Sequence, residues 1–192
     1  MKATGNNIEW NFAASKFKPN GDEIYVVNPK DVSVTKGFPE ATHVKKIMNG
    51  GESVAYEYLR IDSSTFEYLG NVTTELSFNL VKYNDTQLLL RLPMNVGDKF
   101  TDAFEMHKGN TALVQTEYVA SGSLLLPFGT FQNVVLIKTT YDYGVVEYKW
   151  YQVGEGLRLL MASIDHPDYY YTVVFRNDFG SFASNTDSSK NK

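Results

Sequence analysis

Apolar and polar positions alternate along most of the chain: Ile8, Trp10 and Phe12; Val54, Tyr56 and Tyr58; Leu76, Phe78 and Leu80; Ala112, Val114 and Tyr118; Val134 and Leu136; Tyr148 and Trp150; Tyr171, Val173 and Phe175. A period of two puts successive side chains on opposite faces of an extended backbone, so each run predicts a β-strand with one apolar face. Turn-forming groups separate the runs: Pro19-Asn20-Gly21, Asn49-Gly50-Gly51, Tyr83-Asn84-Asp85, Lys108-Gly109-Asn110, Asp142-Tyr143-Gly144, Gly154-Glu155-Gly156 and His166-Pro167-Asp168. In such groups Gly or Asn supplies the positive φ that a tight reversal needs. The spacing predicts a meander of about ten strands, more than a flat sheet holds before it curls or closes.

One-sided alternation is the signature of an antiparallel sheet wrapped around its own core, whereas a parallel α/β sheet would show continuous apolar runs. The expected fold is therefore all-β, a strongly curved antiparallel meander or a half or closed barrel. At most one short helix is expected, and Pro39 to Ile47 is the only stretch that offers a helical turn, because β-branched and aromatic residues dominate elsewhere. Residues 1–176 read as one β domain and residues 177–192, ending in Ser184 to Lys192, as a polar tail or linker with nothing to bury.

Composition narrows the function classes. With 192 residues and 43% hydrophobic side chains the chain carries enough apolar surface for a sizeable core. A net charge of −4, with scattered lysines, leaves no basic surface to neutralise phosphates, so nucleic acid is not an expected partner. No run approaches the roughly 18 apolar residues of a membrane-spanning helix. The absence of cysteine excludes disulfides, thiolate metal sites and cysteine nucleophiles. Met1 to Asn7 lacks the apolar core of a signal peptide, as the start of a processed exported domain also would.

Two stretches carry a resemblance. Phe66-Glu67-Tyr68-Leu69-Gly70 leads to Leu88-Leu89-Leu90-Arg91-Leu92-Pro93-Met94-Asn95-Val96-Gly97-Asp98-Lys99-Phe100, and Leu126-Pro127-Phe128-Gly129-Thr130-Phe131 leads to Glu147-Tyr148-Lys149-Trp150-Tyr151 and Gly156-Leu157. Over roughly residues 50 to 165 this pattern resembles exported Bacteroidetes proteins that carry a C-terminal sorting domain for type IX secretion. It is also similar to small periplasmic or secreted proteins related in architecture to bacterial lipoprotein carriers, whose open half-barrel holds an apolar ligand. The resemblance implies a secreted, cell-surface or periplasmic location. It does not imply lipidation, since the lipoprotein cysteine is missing, and the sorting domain is absent from this chain.

Catalytic patterns are weak. His43, His107 and His166 lie in no nucleophile elbow and no His-Glu-x-x-His spacing. His166 is flanked by Asp165 and Asp168, but Asp, Pro and Asp are ordinary turn residues. Asn84-Asp85-Thr86 and Asn177-Asp178 supply only fragments of a calcium loop. Glu52, Glu57, Glu67, Glu75, Glu105, Glu117 and Glu147 read mostly as a solvated strand face. Gly154-x-Gly156 precedes no helix that could receive a phosphate. No catalytic residue, metal or cofactor is assigned.

Tyrosine is the unusual component, with thirteen residues concentrated at Tyr56-Glu57-Tyr58, Tyr141-Asp142-Tyr143, Tyr148-Lys149-Trp150-Tyr151 and Tyr169-Tyr170-Tyr171. An apolar body with a polar tip suits the wall of a cavity and the stacking of sugar rings, and equally the half-exposed face of a sheet. On one strand face Val146, Tyr148 and Trp150 line a cavity or fill a core; Glu147, Lys149 and Tyr151 take the other. Met161, on the neighbouring strand, adapts to an irregular apolar shape. The candidate ligand-binding residues are Tyr56, Tyr58, Tyr148, Trp150, Met161 and Tyr170. The expected function is a non-enzymatic exported domain that binds an apolar or amphipathic small molecule, a lipid or a partner in its concave face. The alternatives are a glycan-binding module with Tyr148, Trp150 or Tyr170 as an exposed platform, and a hydrolase with an unrecognised site.

Overall fold

β-Branched and aromatic side chains fill the alternating runs, and they fit the pleated surface of a sheet better than that of a helix. The computed structural model describes residues 4–15, 23–27, 37–49, 52–73, 79–105, 111–153, 158–164, 170–172 and 174–175, and every regular element among them is a strand. In chain order these are β1 (Gly5–Asn11), β2 (Glu23–Val26), β3 (His43–Asn49), β4 (Glu52–Ile61), β5 (Thr65–Thr73), β6 (Asn79–Arg91), β7 (Lys99–Glu105), β8 (Thr111–Leu126), β9 (Gly129–Tyr141), β10 (Val146–Gln152), β11 (Arg158–Ile164), β12 (Tyr170–Thr172) and β13 (Val174–Phe175). No helix among the described residues is long and apolar enough to cross a membrane. The polar tail expected from Asn177 lies outside the described residues.

The helical turn expected from Pro39 to Ile47 is replaced by a tight turn and a strand. The Ala41 amide donates to the Phe38 carbonyl at 3.1 Å, and β3 begins two residues later. Val44 and Ile47 favour the extended form, and pairing of β3 with β4 from His43↔Leu59 to Asn49↔Glu52 supplies the hydrogen bonds a helix would have kept to itself.

The strands form two sheets, neither closed into a barrel. One runs β1-β8-β9-β10-β11-β12, with β7 also on β8; the other runs β13-β2-β3-β4-β5-β6. From β2 to β6 and from β7 to β12 each strand pairs antiparallel with the next in sequence, while β1 on β8 and β13 on β2 are parallel. The long strand β8 divides one edge between two partners: β7 pairs with Thr111 to Glu117 and β1 with Ala120 to Leu125.

Of the expected turns that fall on described residues, Asp142-Tyr143-Gly144 is present, and two turns not singled out from the sequence join β8 to β9 and β6 to β7. Leu126 pairs with Gly129 across Pro127-Phe128, making the β8–β9 hairpin. Gly144, at φ 90°, donates its amide to the Tyr141 carbonyl at 3.0 Å and turns β9 into β10. Between β6 and β7 the Asn95 amide donates to Asp98 Oδ2 at 2.7 Å. Tyr83-Asn84-Asp85 is not a hairpin turn but part of a bulge inside β6: Lys82 pairs with Gly70 and Gln87 with Tyr68, so Tyr83 to Thr86 all face the single residue Leu69. The bulge absorbs turn-forming residues without reversing the chain. The groups at Pro19–Gly21, Gly50-Gly51, Lys108–Asn110, Gly154–Gly156 and His166–Asp168 lie outside the described residues.

The core lies between the sheets. Ile24, Leu59, Ile61, Phe66 and Leu90 from β2, β4, β5 and β6 meet Tyr118, Val135, Ile137 and Tyr151 from β8, β9 and β10. The other face of β8–β9–β10 is also buried, in a cluster of Trp10, Leu124, Val134, Leu136, Trp150 and Leu160. Central strand β9 therefore buries Val134 and Leu136 on one side and Val135 and Ile137 on the other.

Candidate functional site

Charged residues enter the inter-sheet space from both sides. Lys45 on β3 stands directly opposite Glu57 on β4 in the ladder, and its Nζ lies 3.0 Å from Glu57 Oε2. Glu147 and Lys149 sit two apart on β10 and so share a face, with Nζ 2.7 Å from Oε2. That face continues to Tyr151, which is fully buried in the inter-sheet core and packs edge-on against Phe66 with centroids 5.4 Å apart. The side chains of Lys45 and Lys149 are each 11% exposed, against 26% for Glu57 and 20% for Glu147, so both ion pairs stand at the rim of the core rather than in bulk water.

A hydrogen-bonded relay ties the sheets together at this point. Gln87 Nε2 on β6 donates to the Tyr141 hydroxyl on β9 at 3.1 Å, and that hydroxyl donates to Glu147 Oε2 at 2.9 Å. Burial pushes the Tyr141 phenol up to about 12, Glu147 adds to the rise, and Lys149 and the Gln87 hydrogen bond oppose it. Burial also works to raise Glu147, but the Lys149 charge and hydrogen bond, the Tyr141 hydroxyl and the more distant Lys45 together bring it below its ordinary value. Glu147 is therefore ionised and Tyr141 neutral at physiological pH.

Between these groups lies a cavity of about 190 Å³. Its floor is apolar and buried, made by Ile24, Leu59, Phe66 and Tyr151, with Tyr68 and Leu89 at the side. Its rim carries Lys45, Glu57, Gln87, Tyr141, Glu147 and Lys149. Two lysines and two glutamates make the rim neutral overall while keeping both signs available, a lining suited to a ligand with an apolar part and a polar, uncharged or zwitterionic head.

Of the residues expected from sequence to bind a ligand, Tyr56, Tyr58, Tyr148 and Trp150 do not line this cavity. Trp150 is 1% exposed and fills the cluster on the far face of its sheet, where Trp10 meets it edge-on at 6.4 Å and Phe12 at 6.3 Å. It is core rather than an exposed platform, because Trp10 of β1 and Phe12 just after it pack against its ring. Tyr148 packs partly buried against the same cluster. Tyr58 is buried under Phe38, stacked at 4.1 Å, with Tyr56 at the margin. Met161 of β11 pairs with Trp150 of β10, and Tyr170 of β12 with Ser163 of β11; the placement of the Met161 and Tyr170 side chains lies outside the described set.

Glu57 and Glu147, expected on a solvated face, instead turn inward, since the second sheet covers that face. Lys45 and Gln87 stand in no sequence pattern that marks a site, and Tyr141 and Lys149 fall in the tyrosine clusters without being among the expected binding residues, for the same reason. One signal was available: the Asp142-Tyr143-Gly144 turn fixes Tyr141 diagonally from Glu147 across the hairpin. His43 is partly buried, with Nδ1 2.8 Å from Thr42 Oγ1, and burial lowers its pKa. His107, His166 and Asn177-Asp178 lie outside the described residues, and Asn84-Asp85-Thr86 belongs to the β6 bulge. Among the described residues no group of three or more His, Asp or Glu is placed to hold a metal. No family model, curated protein or solved structure matches this chain.

Proposed function

We propose that the protein is a non-enzymatic binding domain that takes a small amphipathic molecule into the inter-sheet cleft, its apolar part on Leu59 and Phe66 and its polar head at the Lys45–Glu57 and Glu147–Lys149 pairs. The observation that carries the reading is the neutral ring of opposite charges around an apolar floor. A cavity of about 190 Å³ is smaller than the roughly 300–1,000 Å³ of enclosing ligand sites, which favours a short chain or a ligand that is only partly enclosed. Every charged rim group already neutralises another, and Tyr141 is held protonated, which supports binding over nucleophilic or acid–base chemistry.

The reading takes the seven-stranded sheet as strongly bent. Trp10 on β1 and Trp150 on β10 are three strands apart, about 14 Å along a flat sheet, and their rings meet at 6.4 Å, which supports a curled face. The resemblance to exported Bacteroidetes proteins supports a place of action outside the cytoplasm; a purely cytoplasmic pool on cell fractionation would contradict it.

Calorimetric titration with hexyl-chain amphiphiles bearing zwitterionic, anionic or cationic heads tests the binding claim. Saturable binding that favours the zwitterion and weakens about tenfold, or 1.4 kcal/mol, in Lys149→Met is expected. Lack of saturable binding by all three heads would overturn the reading.

A further inference from the structure

A second cavity, of about 440 Å³, shares no lining residue with the inter-sheet cleft among the described residues. It forms where the segment Ser121-Gly122-Ser123 of β8 is flanked by irregularities on both neighbours. On β1, Gly5 pairs with Ala120 and Ile8 with Gly122, so Asn6 and Asn7 together face Ser121. On β9, Val134 pairs with Gly122 and Phe131 with Leu124, so Gln132 and Asn133 together face Ser123. Each neighbour carries one extra residue, and in each the residue next to the resumed ladder adopts a left-handed backbone: Asn7 at φ 57° and Asn133 at φ 54°. These are the only non-glycine residues with positive φ among those described. Such conformations persist where the surrounding structure imposes them, and paired bulges re-aim side chains that a regular ladder would point elsewhere.

The imposing contact is visible at Gly122. A Cβ placed there would stand 1.7 Å from the Ile8 carbonyl oxygen, so β1 lies directly against bare backbone. The cavity beside it is lined by the exposed carboxamide residues Asn7, Gln132 and Asn133, by Ser121 and Ser123, and by the aliphatic Val153. Tyr118 also lines it and reaches the Ser121 hydroxyl; burial raises its phenol, so no lining side chain among the described residues is charged at neutral pH.

We propose that this double bulge is a binding site for a neutral polyhydroxylated ligand of the sugar-ring class. A polyol presents hydroxyls that both donate and accept, and a carboxamide is the uncharged side chain that answers both roles from one planar group. Three carboxamides and two hydroxyls around an aliphatic patch match that demand, while the absence of charge disfavours anions, cations and phosphorylated ligands. The volume falls within the range of small-molecule sites, about 300–1,000 Å³. The site differs from an aromatic platform in that its specificity comes from amides fixed by backbone conformation.

The test is a titration of the full chain with a panel of neutral gluco-, xylo- and manno-oligosaccharides, read by side-chain amide NMR shifts and calorimetry. Wild type should bind at least one saturably, with the largest shifts at Asn7, Gln132 and Asn133. Asn7→Gly and Asn133→Gly remove the amides at positions where glycine relieves the positive φ, so the thermal midpoint should hold or rise while affinity falls about tenfold or more. Gln132→Ala, at an exposed position, should weaken binding without altering the fold. Absence of saturable binding across the panel, or undiminished affinity in all three variants, would overturn the proposal.

Discussion

The Tyr141 hydroxyl donates to Glu147 Oε2 at 2.9 Å and accepts from Gln87 Nε2 of the opposite sheet at 3.1 Å. One phenol therefore couples the two sheets at the point where the cleft opens. Removing it should leave Gln87 and a partly buried carboxylate each short of a partner. Tyr141→Phe should lower stability by about 1–3 kcal/mol in urea unfolding, and the loss should be largely masked in a Gln87→Leu background, because the two residues act through one network.

Alkaline pH should weaken the fold through the same residue. An unfolded tyrosine loses its proton near 10.0, whereas folded Tyr141 holds its own to about 12. The stability tied to its neutral form is complete below pH 10 and is lost as pH rises toward 12. Burial raises Tyr58 and Tyr118 as well, so absorbance titration near 295 nm should show several tyrosines ionising late, and the late amplitude should fall by one phenol in Tyr141→Phe.

Acid acts at a different place. Asp62 Oδ1 accepts from the Ser64 and Thr65 amides, both at 2.7 Å, and Oδ2 accepts from the Thr65 hydroxyl at 2.8 Å, closing the turn between β4 and β5. The Ser64 amide bond leads the causes that bring this carboxyl down to about 2. Its contribution is complete above the unfolded value near 3.8 and is lost as pH falls through 2. Carboxyl NMR titration should find Asp62 among the last groups to protonate, and Asp62→Ala should remove that resonance and loosen the hairpin.

Gly122→Ala should be far more damaging than its size suggests. The added methyl would meet the Ile8 carbonyl oxygen at 1.7 Å, and Gly122 and Ile8 are partners in the β1–β8 ladder, so neither backbone can give way easily. Overpacking of this kind costs about 1–3 kcal/mol or more. Thermal unfolding should show a larger drop for Gly122→Ala than for Gly97→Ser, where a Cβ meets nothing within 4 Å and the cost comes from the positive φ of 96° alone.

The strands were legible in the sequence because a period of two needs only local information. Trp10, Tyr58, Val114 and Trp150 all fell on buried faces as their alternation implied. What local pattern could not supply was which polar face meets a second sheet. Glu147-x-Lys149 reads as a solvated face until β3 and β4 bring Lys45 and Glu57 across from it, a contact about a hundred residues distant in the chain. The tyrosine clusters misled for the converse reason: Tyr58 fills the core against Phe38, and Trp150 fills it against Trp10. The parallel pairing of β1 on β8 likewise leaves no mark on either strand alone.

The central claim is that the cleft between the sheets is where a ligand sits. The most direct measurement is an NMR titration of the full chain with a hexyl-chain zwitterion, following the resonances of Lys45, Glu57, Tyr141, Glu147 and Lys149. Saturable shifts concentrated on these five residues, and abolished in Lys45→Met/Lys149→Met, are the predicted result. Shifts that never saturate, that fall elsewhere, or that persist unchanged in the double variant would contradict it.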